Sequence, residues 1–263
     1  MVDVLVIFGS ASDEPIFSKI ISELKEKNIS VGLRIISAHR TPQELEKALT
    51  ETSAKIIIAG AGLSAALPGV VASQIIKPVI GVPVSGNYSG LDALLSVHQM
   101  PPGIPVLGVG VDGGETVLAV ENYLKGFSEL VLIKKTESDE IEKRYQSCVS
   151  TLKEFGVEFK EKPTTDNALT IEFIDINNLT TSTKATIIVP CGKAKAEDSV
   201  KILNASQKGL WVGLGRGDNA AIAAVELMNK NNSFSELLLT QRAKMKEKVI
   251  ASDTEMKQKY GSD

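Results

Sequence analysis

Val2-Asp-Val-Leu-Val-Ile-Phe8, followed at once by Gly9-Ser10-Ala11-Ser12-Asp13, decides the fold. A short apolar run that stops on small polar residues reads as a buried strand feeding a helix N-terminus. The helix follows, with Ile16, Ile20, Ile21 and Leu24 at helical spacing. The pattern then repeats. Val31–Ile36 is a second strand, and Ser37-Ala38-His39-Arg40 is a turn. Thr41 with Glu44 around Pro42 reads as a capping box with proline at the first helical position. Lys55–Ala59 is a strand ended by Gly60-Ala-Gly62, with a helix from near Ser64 or Pro68 to about Ile76. Strand four is Pro78–Val82, followed by a loop to Gly90, a helix over Leu91–Val97, and strand five over Val106–Val111. Gly113-Gly114 opens a helix reaching about Leu124. Fully apolar strands alternating with helices predict an α/β fold with a parallel sheet covered on both faces. In such sheets the ligand crevice lies beyond the carboxyl ends of the strands, where the Gly, Ser and His residues fall.

The second half reads as a worn copy, joined near Phe127-Ser128. Leu130–Lys134 then Glu137-Ser138-Asp139 echoes the first strand and Ala11-Ser12-Asp13. A helix carrying Ile141, Tyr145, Cys148, Leu152 and Phe155 leads to a strand at Val157–Lys160. Ala185–Val189 with Pro190-Cys191-Gly192 matches Ile56–Ala59 with Gly60-Ala61-Gly62, and Gly209–Asp218 matches Gly103–Asp112. No counterpart of Pro78–Pro102 is visible between Asn204 and Gly209. Self-similarity of this kind predicts tandem domains, 1–127 and a shortened 128–263, ending in a charged helix from Phe234 to about Tyr260.

Composition narrows the function. At 263 residues, one large or two small domains fit. Hydrophobic residues at 43% and charged residues at 23% are the mix of an ordinary globular protein. Lys+Arg 29 against Asp+Glu 32 gives net charge -3, so a nucleic-acid surface is not the default, and the Lys-rich face of the last helix reads as solvated. Two cysteines, Cys148 and Cys191, exclude a disulfide framework or a four-ligand zinc site by counting. Two histidines, His39 and His98, disfavour a histidine-rich metal site. No apolar run is long enough for a membrane helix, and the N-terminus lacks a signal-peptide layout, which predicts a cytoplasmic protein.

Three loops can carry chemistry. Gly9–Asp13 offers free backbone N–H groups and two hydroxyls, which suit a phosphate, while Asp13 can take ribose hydroxyls; ordinary helix capping is the other reading. His39 beside Arg40 pairs a group that titrates near neutrality with a two-pronged anion holder, or is a loop histidine beside a surface arginine. Gly60–Gly69 allows close backbone approach to a flat ligand, or tight helix–sheet packing. His98 reads as a structural or interface histidine, and Cys148, on the apolar stripe of its helix, as core. Cys191 lacks a histidine to act as its base in the second half. The Gly9 loop has no G-x-G-x-x-G, so a dinucleotide site fails.

These strings together resemble one family of de novo purine synthesis, the 5-(carboxyamino)imidazole ribonucleotide mutase / aminoimidazole ribonucleotide carboxylase family. The carriers are Gly9–Asp13, Ser37-Ala-His-Arg-Thr-Pro42, Ala59–Gly62 with Ala66-Leu-Pro-Gly69, Gly81-Val-Pro83, Gly90-Leu-Asp92 and Gln99–Pro105. The match spans residues 1 to about 125, and Gly217–Asp253 resembles the family's C-terminal helices. The resemblance implies a flavodoxin-like three-layer αβα domain, a ribonucleotide substrate with CO2, and no cofactor or metal. It places Ser12, Ser37 and Arg40 on the phosphate and Asp13 on the ribose. Ser10, Ala38, Ala61, Gly62, Ser64 and Leu67 then line the base and carboxylate site, and His39 is the acid/base. It implies a homo-oligomer, here four fused chains rebuilding an eight-domain particle. One departure stands out: Ala66 occupies a position where the mutase branch has His, while Arg40 is the mutase residue where the carboxylase branch has Lys. Direct carboxylation and a non-catalytic ribonucleotide-binding protein are therefore the alternatives.

Overall fold

In the computed structural model, residues 2–179 and 186–261 are described. The first half supplies β1 (Val4–Phe8), β2 (Val31–Ile35), β3 (Ile56–Ala61), β4 (Val79–Pro83) and β5 (Leu107–Gly108). They pair in parallel in the order β2-β1-β3-β4-β5, the doubly wound flavodoxin-like order. Helices α1 (Glu14–Glu26) and α5 (Thr116–Lys125) bury Phe17, Ile20, Leu24, Val120 and Tyr123 on one face. Helices α2 (Pro42–Glu51), α3 (Ala66–Gln74) and α4 (Leu91–His98) bury Leu45, Leu49, Val71, Ala72, Ala93 and Val97 on the other. The expected three layers are therefore present.

The second half continues the same sheet with β6 (Glu129–Lys134), β7 (Ala168–Asp175), β8 (Thr186–Cys191) and β9 (Leu210–Trp211). The full order is β2-β1-β3-β4-β5-β9-β8-β7-β6. The junction is antiparallel, with Gly108 opposite Trp211. Helices α6 (Asp139–Glu154), α7 (Asp198–Ala205), α8 (Gly217–Met228) and α9 (Ser235–Tyr260) complete the chain.

Several boundaries differ from the sequence reading. Val157–Lys160 is not a ladder strand; only Lys160 bridges Val131, on the outer side of β6. Strand β7 was not expected at all, although Leu169, Ile171 and Phe173 alternate toward the core. With both in place, the order from the outer edge inward is Lys160, β6, β7, β8, β9. That is the 2-1-3-4-5 order again. Strand β8 thus occupies the place of β4, not of β3, and Val189-Pro190 aligns with Val82-Pro83. The missing counterpart of Pro78–Pro102 is β8 with α7; among the described residues no helix of the second half matches α2 or α3. Ala185, read as the start of this strand, lies outside the described residues. Strand five shrinks to two residues because Val111–Gly113 turns as a 3-10 helix. The capping box fails too. Thr41 Oγ1 instead accepts from Ser37 N at 3.0 Å and donates to Ser37 O at 3.1 Å, which ties the site loop rather than the helix.

The seam is specific. Gly103 N donates to Asn219 Oδ1 at 2.7 Å, and Gly209 N donates to Glu115 Oε2 at 2.7 Å. Each half thus closes a glycine N–H at the approach to the other half's innermost strand. Trp211 is fully buried and stacks on His98, with centroids 6.4 Å apart. Gly108 is needed here, because a Cβ would meet His98 Cδ2 at 2.1 Å. Burial pushes the His98 imidazole down to about 4, so it stays neutral in this packing. His98 and Cys148 are buried structural residues, as expected, and burial pushes the Cys191 thiol up to about 12.

Candidate active site

A cavity of about 690 Å³ opens at the carboxyl ends of β1, β2, β3 and β4. It is lined by every residue the sequence singled out: Ser10, Ser12, Asp13, Ser37, Ala38, His39, Arg40, Ala61, Gly62, Ser64 and Leu67. Residues that are distant in sequence meet here because parallel strands deliver successive loops to one edge of the sheet.

The first loop is self-organised. Ser10 caps the short turn Ala11–Asp13 by accepting from Ser12 N at 3.2 Å. Its Oγ lies 2.7 Å from Ser12 Oγ, which in turn donates to Asp13 Oδ1 at 3.2 Å. Burial raises the Asp13 carboxyl above its ordinary range, and the Ser12 hydroxyl opposes that shift. Gly9 N donates to Gly60 O at 3.1 Å, so this loop and the third are tied at their bases.

The second loop is tied to the first by its arginine. Arg40 Nη2 donates to Gly9 O at 2.9 Å, and Arg40 N donates to Ser37 Oγ at 3.3 Å. One arm of the guanidinium is fixed on backbone, which leaves the rest of its donor fork for an anion. His39 is exposed on the cavity wall, one residue away. The third loop turns through Leu63, a non-glycine residue at φ 55, and α3 begins at Ala66.

The sequence reading assigned no role to the fourth wall. Val84, Ser85 and Gly86 line the cavity, Val84 N donates to Ala61 O at 3.0 Å, and Ser85 N donates to Asp112 Oδ1 at 2.8 Å. The available signal was topological: they follow β4, which lies beside β3. Ala66 also lines the cavity and contributes only a methyl group.

Fold and site together define an α/β protein whose polar crevice sets hydroxyls, a carboxyl, an imidazole and a guanidinium around one space. Residues 3–123 match the family model described as AIR carboxylase. The N5-carboxyaminoimidazole ribonucleotide mutase of Methanocaldococcus jannaschii is 52% identical over 120 residues, 45% of this chain and 76% of that protein. That of Pyrococcus abyssi is 41% identical over 145 residues, 54% of this chain and 80% of that protein. A protein of Methanobrevibacter smithii, described as a probable N5-carboxyaminoimidazole ribonucleotide mutase, is 38% identical over 181 residues. That alignment covers 67% of this chain and 53% of that protein. The chain belongs to the AIR carboxylase / N5-carboxyaminoimidazole ribonucleotide mutase family. No helix among the described residues is long and apolar enough to cross a membrane.

Proposed function

We propose that the chain is an N5-carboxyaminoimidazole ribonucleotide mutase of de novo purine synthesis. The observation that carries this reading is the gathering of Ser12, Asp13, Ser37, His39 and Arg40 around one cavity in a chain of this family. Arg40 and the Ser12 and Ser37 hydroxyls hold the substrate phosphate, and Asp13 takes the ribose hydroxyls. Ser10, Ala38, Ala61, Gly62, Ser64 and Leu67 surround the imidazole ring and its carboxylate.

His39 moves the protons. Protonated His39 gives its proton to the carbamate nitrogen, the N–C bond breaks, and CO2 is released inside the cavity. The freed amine makes the ring carbon nucleophilic, and that carbon attacks CO2. Neutral His39 then removes the proton from the same carbon. The two transfers are sequential, so one imidazole serves both. A closed crevice holds CO2 between the steps.

Ala66 supports a second reading, direct carboxylation of aminoimidazole ribonucleotide by CO2. Parallel turnover assays separate them. The expected result is faster turnover of the carboxyamino ribonucleotide without bicarbonate than of the uncarboxylated ribonucleotide at high CO2. The reverse order overturns the mutase in favour of the carboxylase. Binding without turnover of either leaves a ribonucleotide-binding protein.

The working particle in this proposal is a homo-oligomer in the cytoplasm, with residues 1–127 catalytic and 128–263 a degenerate copy. Helix α9 supports it. Its last turns are exposed along their whole length and carry Val249, Ile250, Met256 and Tyr260. Edge strand β2 also exposes Leu33 and Ile35. Patches of this kind mark interaction surfaces. Light scattering is expected to give the mass of four chains, and a 28.1 kDa particle would sink the assembly.

A further inference from the structure

A second polar cavity, of about 370 Å³, lies at the other ends of β3 and β4 from the crevice. Lys77, just before β4, and Lys230, just after α8, line it together with Tyr123 and Glu226. Lys77 Nζ donates to Thr52 O at 3.1 Å and Lys230 Nζ to Leu124 O at 2.7 Å. These partners are carbonyls; among the described residues neither ammonium pairs with a carboxylate. Burial lowers the pKa of Lys77, so its charge is partly desolvated.

The one carboxylate in the wall is already taken. Glu226 is 3% exposed and accepts from Arg242 Nη2 at 3.3 Å. Arg242 Nε and Nη1 are buried with no partner. Arg242 lines a neighbouring cavity of about 270 Å³ that shares Lys77. The wall thus carries three lysines, of which Lys55 is paired with Asp3 at 2.8 Å, and one carboxyl that Arg242 already meets. Lys77 is half-buried and Lys230 exposed, and no carboxylate in the wall neutralises either. An anion entering the cavity would form charge-assisted hydrogen bonds with both.

We infer that this cavity is an anion-binding site for a phosphate group, free or esterified, held by Lys77 and Lys230. A phosphate dianion meets both ammoniums as point charges. The site shares no residue with the crevice.

Calorimetric titration of the full chain with inorganic phosphate tests this. A phosphate that survives Arg40→Ala and is weakened about tenfold or more by Lys77→Gln or Lys230→Gln establishes the site, whatever the crevice binds. The single variants keep the test usable where the double variant fails to fold, and circular dichroism checks each fold. In the Arg40→Ala background, ribose 5-phosphate binding tighter than phosphate assigns an ester, and the reverse assigns the free ion. Phosphate uptake that vanishes with Arg40→Ala alone overturns the proposal. So does uptake that neither lysine variant alters.

Discussion

His39→Asn is expected to lower kcat by about 10²- to 10⁴-fold while leaving ribonucleotide affinity within about threefold. Asparagine keeps a polar side chain on the cavity wall but cannot take up and return a proton. The proposed phosphate holders lie on either side of the imidazole and do not depend on it. Arg40 is fixed by its bond to Gly9 O, and Ser37 is held by the Thr41 side chain. Steady-state kinetics with calorimetric binding of the ribonucleotide separate the two effects. A kcat loss of less than about tenfold would remove His39 from the proton transfers. A parallel collapse of affinity would make it a binding residue instead.

Trp211→Ala is expected to destabilise the chain by about 3–5 kcal/mol. Trp211 is the sole tryptophan, and it fills the seam between the halves. It contacts the buried Leu94, Ile174, Ile188 and Ile202 cluster, stacks on His98, and donates through Nε1 to Lys208 O at 2.8 Å. Removing it leaves a cavity where β5 meets β9 across a single residue pair. Domains are stable by only about 5–15 kcal/mol, so this is a large share. Urea unfolding followed by circular dichroism measures it, since tryptophan fluorescence is lost with the residue. A change below about 1 kcal/mol would mean that the two halves are held together elsewhere.

The first half was legible because β1, β3 and β4 are apolar throughout and β1, β2 and β3 run into small or polar residues. Ile56–Ala59 and Val4–Phe8 announce buried parallel strands, and the loops after β1, β2 and β3, with the start of α3, contain every residue assigned to the crevice. The second half was harder to read for a physical reason. Strand β7 carries Thr170 and Glu172 on the face away from α6, and both are buried. Glu172 pairs with Lys135 at 2.9 Å, so its charge is met inside the fold. A run interrupted by a carboxylate does not read as core strand, and with β7 missed, β8 was matched to β3. The fourth wall of the crevice was invisible for another reason. Val84, Ser85 and Gly86 have no distinctive chemistry, and only the adjacency of β3 and β4 brings them to the cavity. Thr41 shows the limit of a local motif: its hydroxyl had two possible partners, and the loop won over the helix.

The seam also sorts the chain by what each part is free to change. Gly103, Asn219, Gly209 and Glu115 lock the halves reciprocally, and Gly108 with Trp211 admits little substitution. The second half must therefore keep its strands, or the first half loses the neighbour of its last strand. Nothing comparable acts on the second half's loops. A tethered partner that supplies sheet and core can drift at its loop tips without penalty to folding. Residues 128–263 contain no histidine, which fits the proposed division into a catalytic first half and a second half that serves it as a bearing surface.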